Sequence, residues 1–165
     1  MSRMILMCGN IGCGKSTLSS KIVEENNDIL IVNHDKIIEM LHSDYTKFDM
    51  KYYLIYKDIE KSSIESCLNN NVSVIVDKLN HTKEKRKRYI DIAKKIDSSI
   101  IIELYNFTMI KPELAARNRF LSGNKGHSLS KWFDVSNKIY KEYEKPEVEE
   151  CIDYLYEVDS HIYKG

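Results

Sequence analysis

Proline is scarce in this chain. Pro112 and Pro146 are the only two in 165 residues, and no proline-, glycine- or serine-rich stretch divides the sequence. No internal repeat is visible either. Both absences argue against a linker-and-module arrangement and for one domain over residues 1–165. Charge of one sign is also lacking: 25 Lys and Arg stand against 25 Asp and Glu. No global field therefore draws the chain to a polyanion, and any basic site has to be local. Paired cysteines are missing. Cys8, Cys13, Cys67 and Cys151 form no C-x-x-C, and no histidine spacing accompanies them. That pattern excludes a structural zinc site and fits reduced thiols. Long apolar runs are missing too. Residues 4–8 are too few for a secretory signal core and lead straight into glycines. No stretch approaches the roughly 20 residues of a membrane span. The expectation is a soluble protein of the cytoplasm or nucleus.

What is present is an ordinary globular composition, 42% hydrophobic and 30% charged. Five short apolar runs are expected as strands: residues 4–8, 29–32, 72–76, 99–105 and 154–158. The first four are rich in Ile, Val, Leu or Met without alternation, as in strands buried on both faces. Helical patterns separate them, at residues 15–25, 36–41, 48–68, 83–95, 111–121 and 135–144. Pro112 suits the start of its helix, and Pro146 suits a position just past a helix end. Strands alternating with helices predict an α/β fold, with a parallel sheet of about five strands and helices on both faces.

The most informative segment is Gly9-Asn10-Ile11-Gly12-Cys13-Gly14-Lys15-Ser16, followed by Thr17. It fits G-x-x-x-x-G-K-[ST], directly after a predicted strand and opening a predicted helix, which is the context of the phosphate-binding loop of P-loop NTPases. The glycines let backbone N–H groups of residues 10–16 turn inward around a phosphate. Lys15 supplies a positive charge for the β- and γ-phosphates, and the Ser16 hydroxyl is a ligand type for Mg²⁺. The helix that follows presents its positive end. A switch GTPase would need D-x-x-G after the third strand and N-K-x-D for the base. Asp77 is instead followed by Lys78-Leu79-Asn80, and Asn124-Lys125 by Gly126-His127.

Two features favour transfer of a phosphoryl group to a hydroxyl. Asp35 stands at the end of the second predicted strand, the edge where open α/β sheets bind ligands, and a carboxylate there can take the proton of an attacking hydroxyl. Capping of the helix at 36–41 is the alternative role. Arg117-Asn118-Arg119 ends a helix and is followed by a polar loop through Lys125 to Ser128. Such a basic segment can close over a triphosphate and stabilise the transferring group; a solvated helix face is the alternative. After the third strand, five of the six residues 83–88 are basic. Arg86 or Arg88 could contact an acceptor phosphate, or the run could be solvated surface.

These residues carry a family resemblance. The chain resembles 5′-hydroxyl polynucleotide kinase domains, in particular the kinase module of fungal-type tRNA ligases, and more loosely the phage-type polynucleotide kinases. The likeness rests on Gly-Cys-Gly-Lys-Ser at 12–16, on Asp35, and on Asp77-Lys78-Leu79-Asn80-His81 with Arg86 downstream. It rests also on Asn118-Arg119 followed by Gly123 to His127, and runs from Met4 to Asp159. The sequence departs from these families at Ile38, where phage-type enzymes carry Arg, and at Ser122, where the ligase family has a second lid Arg. The resemblance implies γ-phosphoryl transfer from ATP or GTP, with Mg²⁺, to a 5′-OH end of RNA or DNA. Lys15, Asp35 and Arg119 would be catalytic, and residues 9–17 would bind the nucleotide. Asp35, Asp77, Asn80, His81 and Arg86 would address the acceptor, and Arg117, Arg119 and Lys125 would form the lid. Kinases of a small metabolite or nucleoside share the loop, base and lid and form the main rival. A nucleotide-dependent assembly module without acceptor is the second.

Overall fold

The computed structural model describes residues 2–123 and 126–161. Five strands form one parallel sheet: β1 (Arg3–Cys8), β2 (Ile29–Asn33), β3 (Ser73–Asp77), β4 (Ile101–Phe107) and β5 (Tyr154–Val158), in the order β2-β3-β1-β4-β5. Six α-helices connect and follow them: α1 (Lys15–Glu25), α2 (His34–His42), α3 (Tyr53–Asn69), α4 (Lys83–Ile96), α5 (Pro112–Leu121) and α6 (Leu129–Glu142). None of the described helices is long and apolar enough to cross a membrane.

The apolar strands are buried for the reason their composition implies: both faces of the sheet are covered. Met4, Leu6, Val74, Val76, Ile102 and Leu104 pack with Ile64 and Leu68 of α3 and Tyr89, Ile90 and Ala93 of α4. On the opposite face Ile5, Met7, Ile29, Ile75 and Phe107 meet Leu18, Ile22 and Val23 of α1. A third cluster, with Ile110, Ala115, Ala116, Trp132 and Ile139, joins α5 to α6 beside Ile11 of the phosphate loop. At about 25 cal/mol per Å² of apolar surface these layers supply the main drive to fold.

Three expected boundaries shift for identifiable reasons. The helix after β2 begins at His34 rather than residue 36, because the Asn33 side chain accepts a hydrogen bond from Lys36 N at 3.0 Å. Asn33 is therefore the cap, and Asp35 lies inside the first turn. The last helix starts at Leu129 rather than 135, capped by the Ser128 hydroxyl. The long pattern at 48–68 becomes α3 preceded by two 3-10 turns, Tyr45–Lys47 and Met50–Tyr52, each opened by an aspartate side chain, Asp44 and Asp49. The site lies at the carboxyl edge of the sheet, where the neighbouring strands β1 and β4 pair onward to β3 and β5 on opposite sides.

Candidate functional site

The loop between β1 and α1 is held from several directions. Gly9 N donates to Leu79 O at 3.0 Å, and the Asn80 side chain donates to Met7 O at 2.8 Å, which ties the loop to the β3–α4 connection. Asn10 Nδ2 donates to Ser136 Oγ of α6 at 2.9 Å. Asn118 Nδ2 of α5 reaches Gly12 O at 3.3 Å and His161 O at 2.6 Å, and His161 N donates to Cys13 O at 3.0 Å. Gly12 has a steric reason to be glycine. Its φ is +64°, and a Cβ there would lie 2.8 Å from Arg119 N and 2.9 Å from Ala115 O. Gly14, at φ +105°, forms the entry to α1. The Lys15 ammonium donates to the carbonyls of Gly9 and Asn10.

A cavity of about 760 Å³ opens above this loop, a size suited to a nucleotide. Ile11 through Leu18 line it, together with Asp35, Asp77, Lys78, Arg119 and Trp132. The fold thus brings Lys15, Ser16, Thr17, Asp35, Asp77 and Arg119 to one space, although they are spread over more than 100 positions. Ser16 and Thr17 are exposed to it at the first turn of α1. Gly9 and Asn10 brace the loop from behind and do not line the cavity.

The acidic side of the cavity is organised by a buried carboxylate that the sequence did not advertise. Asp77, at the end of β3, accepts from Asn33 Nδ2 at 2.8 Å. His34, beside Asp35, meets Glu60 of α3 through Nδ1 at 3.0 Å. Glu60 is 2% exposed and also accepts from Lys78 at 2.9 Å, Lys57 at 3.1 Å and the Tyr89 hydroxyl at 2.6 Å. Burial alone would push its pKa up. The hydrogen bond from His34, the Lys78 charge and the Tyr89 hydroxyl outweigh that and hold it far below the ordinary carboxylate value. Burial in turn pulls the Lys78 ammonium below the usual lysine value, against the attraction of Glu60.

The basic side comes from α5 and α6. The Arg119 guanidinium lies 5.1 Å from the Trp132 ring centre, within cation–π range. Tyr45, from the first 3-10 turn, lines the same cavity as this arginine and Asp35. Burial and the Asp35 charge raise the Tyr45 phenol pKa, while the charge and hydrogen bond of Arg119 oppose them. A second cavity of about 360 Å³ continues past Tyr45 and His34, with Ile38, Phe48 and His127 among its walls.

Several expected site residues are not at the cavity. Arg86 is fully buried and makes a two-bond ion pair with Glu150, 2.8 Å on each side, and donates to Asn80 O and Glu144 O. It holds α4 to the segment before β5, so direct contact with an acceptor is corrected to a structural role. Asn80 is 2% exposed at φ +44° and serves the β1 bond described above. His81 is 1% exposed; its Nε2 faces Glu142 at 3.1 Å. Burial, followed by opposing and reinforcing neighbours, lowers its pKa. Neither lines either cavity. The other basic residues of the 83–88 run are exposed and also stand away from both. Arg117 is exposed and does not line the cavity, whereas Arg119 does. Lys125 lies outside the described residues.

Among the described residues no cluster of three or more His, Cys, Asp or Glu is arranged to hold a metal by itself. The oxygen donors that do face the cavity, the Ser16 hydroxyl and the Asp35 and Asp77 carboxylates, suit a hard cation brought in with phosphate oxygens.

Comparison with known proteins agrees with this geometry. A family model described as an AAA domain (AAA_33) matches residues 4–130. An L-seryl-tRNA(Sec) kinase of Methanococcus maripaludis is 31% identical over 102 residues, which covers 59% of this chain and 38% of that protein. The chain thus spans well under half of that relative. A crystal structure of a fungal RNA kinase superposes with a TM-score of 0.61 at 13% identity, covering 99% of this chain and 77% of the other. A gluconokinase from Sinorhizobium meliloti 1021 superposes with a TM-score of 0.58 at 16% identity, covering 95% and 82%. At these identities the structural matches establish the fold alone.

Proposed function

The chain belongs to the AAA domain family and has the P-loop kinase fold, and from that premise we propose that it transfers the γ-phosphate of ATP or GTP to a 5′-hydroxyl end of RNA or DNA. The observation that carries the proposal is the meeting of Lys15, Ser16, Asp35 and Arg119 at one cavity. A phosphate-binding loop without a base would suit a nucleotide-sensing module. A carboxylate at the end of β2, facing the same space, suits attack by a hydroxyl.

The steps assigned to this chain's residues are positioning and charge stabilisation. Backbone N–H groups of residues 12–16 and the Lys15 ammonium hold the β- and γ-phosphates. The Ser16 hydroxyl would hold Mg²⁺, with the Asp77 carboxylate lining the same cavity; the ion would supply neutralisation of phosphate charge. Asp35 takes the acceptor proton as the new O–P bond forms. The bond from Pγ to the bridging oxygen breaks, and the nucleoside diphosphate leaves with that electron pair. Arg119 balances charge on the transferring group.

The choice of a polynucleotide acceptor rests on the resemblance of residues 77–81 and 118–127, with the fungal RNA kinase as a fold match over nearly the whole chain. The seryl-tRNA(Sec) kinase relative also bears a nucleic acid in its name. The gluconokinase match favours a second reading, a small-metabolite acceptor. To separate them, the protein is incubated with Mg²⁺ and γ-labelled ATP or GTP. The acceptors are a 5′-OH RNA oligonucleotide, its DNA counterpart and a panel of sugars and nucleosides, with Asp35→Asn as control. Label on the oligonucleotide, lost in Asp35→Asn, supports the proposal. Label on a sugar alone would replace it.

A further inference from the structure

The 3-10 turn at Tyr45–Lys47 has no assigned role, yet it stands at the junction of the two cavities. Two contacts tie it to the α5–α6 side. Tyr45, Arg119 and Asp35 line the same cavity, where the Arg119 guanidinium and the Asp35 charge act on the Tyr45 phenol in opposite senses. Arg119 also lies over the Trp132 ring at 5.1 Å, and His127 meets the same ring edge-on at 4.9 Å. The neighbouring Thr46 closes the circle. A Cβ on Gly126 would lie 3.0 Å from Thr46 Cγ2, so the backbone at Gly126 rests directly on the turn. The turn is itself fixed, since the Asp44 carboxylate accepts from both Thr46 N and Thr46 Oγ1 at 2.8 Å.

An arginine on a long flexible stem loses much rotamer freedom when it is held in one place. Here the hydroxyl of Tyr45 and the face of Trp132 grip it. We propose that Tyr45 is a positioning residue for phosphoryl transfer, holding Arg119 in the cavity that Asp35 and the phosphate loop also line. Tyr45, with His34 and Asp35, lines both cavities, and its hydroxyl sets where the guanidinium waits. Tyr45 thereby couples α2 and the turn that follows it to the lid side, α5 with α6. This rests on the phosphotransferase reading but not on the identity of the acceptor.

The test is a double-mutant cycle of Tyr45→Phe and Arg119→Ala, which removes one hydroxyl and keeps the ring. With a 5′-OH RNA acceptor, Tyr45→Phe is expected to lower kcat by about 10- to 100-fold, with ATP affinity held within about twofold. In the Arg119→Ala background the same change is expected to cost almost nothing, because its effect travels through that arginine. A second arm needs no acceptor. Trp132 is the sole tryptophan and is 3% exposed. Its quenching by acrylamide is expected to rise in Tyr45→Phe as Arg119 and the α5–α6 connection come loose. Losses that multiply in the double variant, or unchanged kcat together with unchanged quenching, would overturn the proposal. If wild-type protein fails to phosphorylate RNA, the acceptor reading falls, and the Trp132 arm still decides the role of Tyr45.

Discussion

Replacement of Arg86 by methionine should cripple stability and leave chemistry intact. The side chain is fully buried and makes four hydrogen bonds: two to the Glu150 carboxylate at 2.8 Å each, one to Asn80 O at 3.1 Å and one to Glu144 O at 2.9 Å. Methionine fills the stem but leaves a buried carboxylate with no cation and two carbonyls with no donor. Removing one partner of such a pair costs about 3–5 kcal/mol. For a chain of 165 residues, an unfolding entropy of about 2.1 cal/mol/K per residue makes each kcal/mol worth about 3 °C. The expected fall in Tm is therefore roughly 9–15 °C, read by circular dichroism. Arg86→Met combined with Glu150→Met should recover most of it, since two apolar side chains carry no stranded charge. Phosphoryl transfer by the folded double variant should retain its KM for a 5′-OH oligonucleotide. A Tm drop under about 3 °C with a tenfold rise in acceptor KM would refute the reasoning and return Arg86 to the substrate.

Asp35→Asn should lower transfer to the acceptor by about 10²- to 10⁴-fold while nucleotide affinity stays unchanged, measured by label transfer and by equilibrium nucleotide binding. Gly12→Ala should weaken nucleotide binding by at least about tenfold, because its methyl meets backbone atoms of α5 at 2.8 and 2.9 Å and the loop must move away from Arg119; calorimetric titration reads this directly. Glu60→Gln should flatten the acid side of the stability profile. The folded-state pKa of Glu60 is held below its ordinary value of 4.5, by bonds that outweigh burial. Its contribution is therefore present above that value and lost as pH falls below it. The Tm gap between wild type and Glu60→Gln should be full near neutral pH and shrink from about pH 5 downward. An unchanging gap would contradict the ion cage.

Much of the fold was legible because its signals are local. The phosphate loop is a contiguous string whose spacing is its chemistry, and α1 and β5 have the expected bounds of 15–25 and 154–158. Asp35 and Arg119 were singled out by their places at the ends of a strand and a helix, and the fold brings both to the cavity. What failed to show depends on partners far along the chain. Arg86 sits in a run of exposed bases and looks like one of them; its partner Glu150 is 64 positions away. Glu60 occupies an ordinary helical position, and its four partners come from α2, α3, the end of β3 and α4. Tyr45 falls in a segment without helix or strand periodicity, so no pattern marked it. The start of α6 was missed because Trp132 and Phe133 obscure a polar first turn that the Ser128 cap makes helical.

The bond from His161 to Cys13, and from Asn118 to His161, has a bearing on how the protein is made. Residue 161 leaves the ribosome 148 residues after residue 13. At about 5–20 residues per second the interval is roughly 7–30 s. Throughout it the nascent chain carries a phosphate loop whose bracing is incomplete, and β1 waits at the centre of the sheet for neighbours on both sides, β3 and then β4. The loop therefore gains this part of its bracing only after the strands on both sides of β1 have been made.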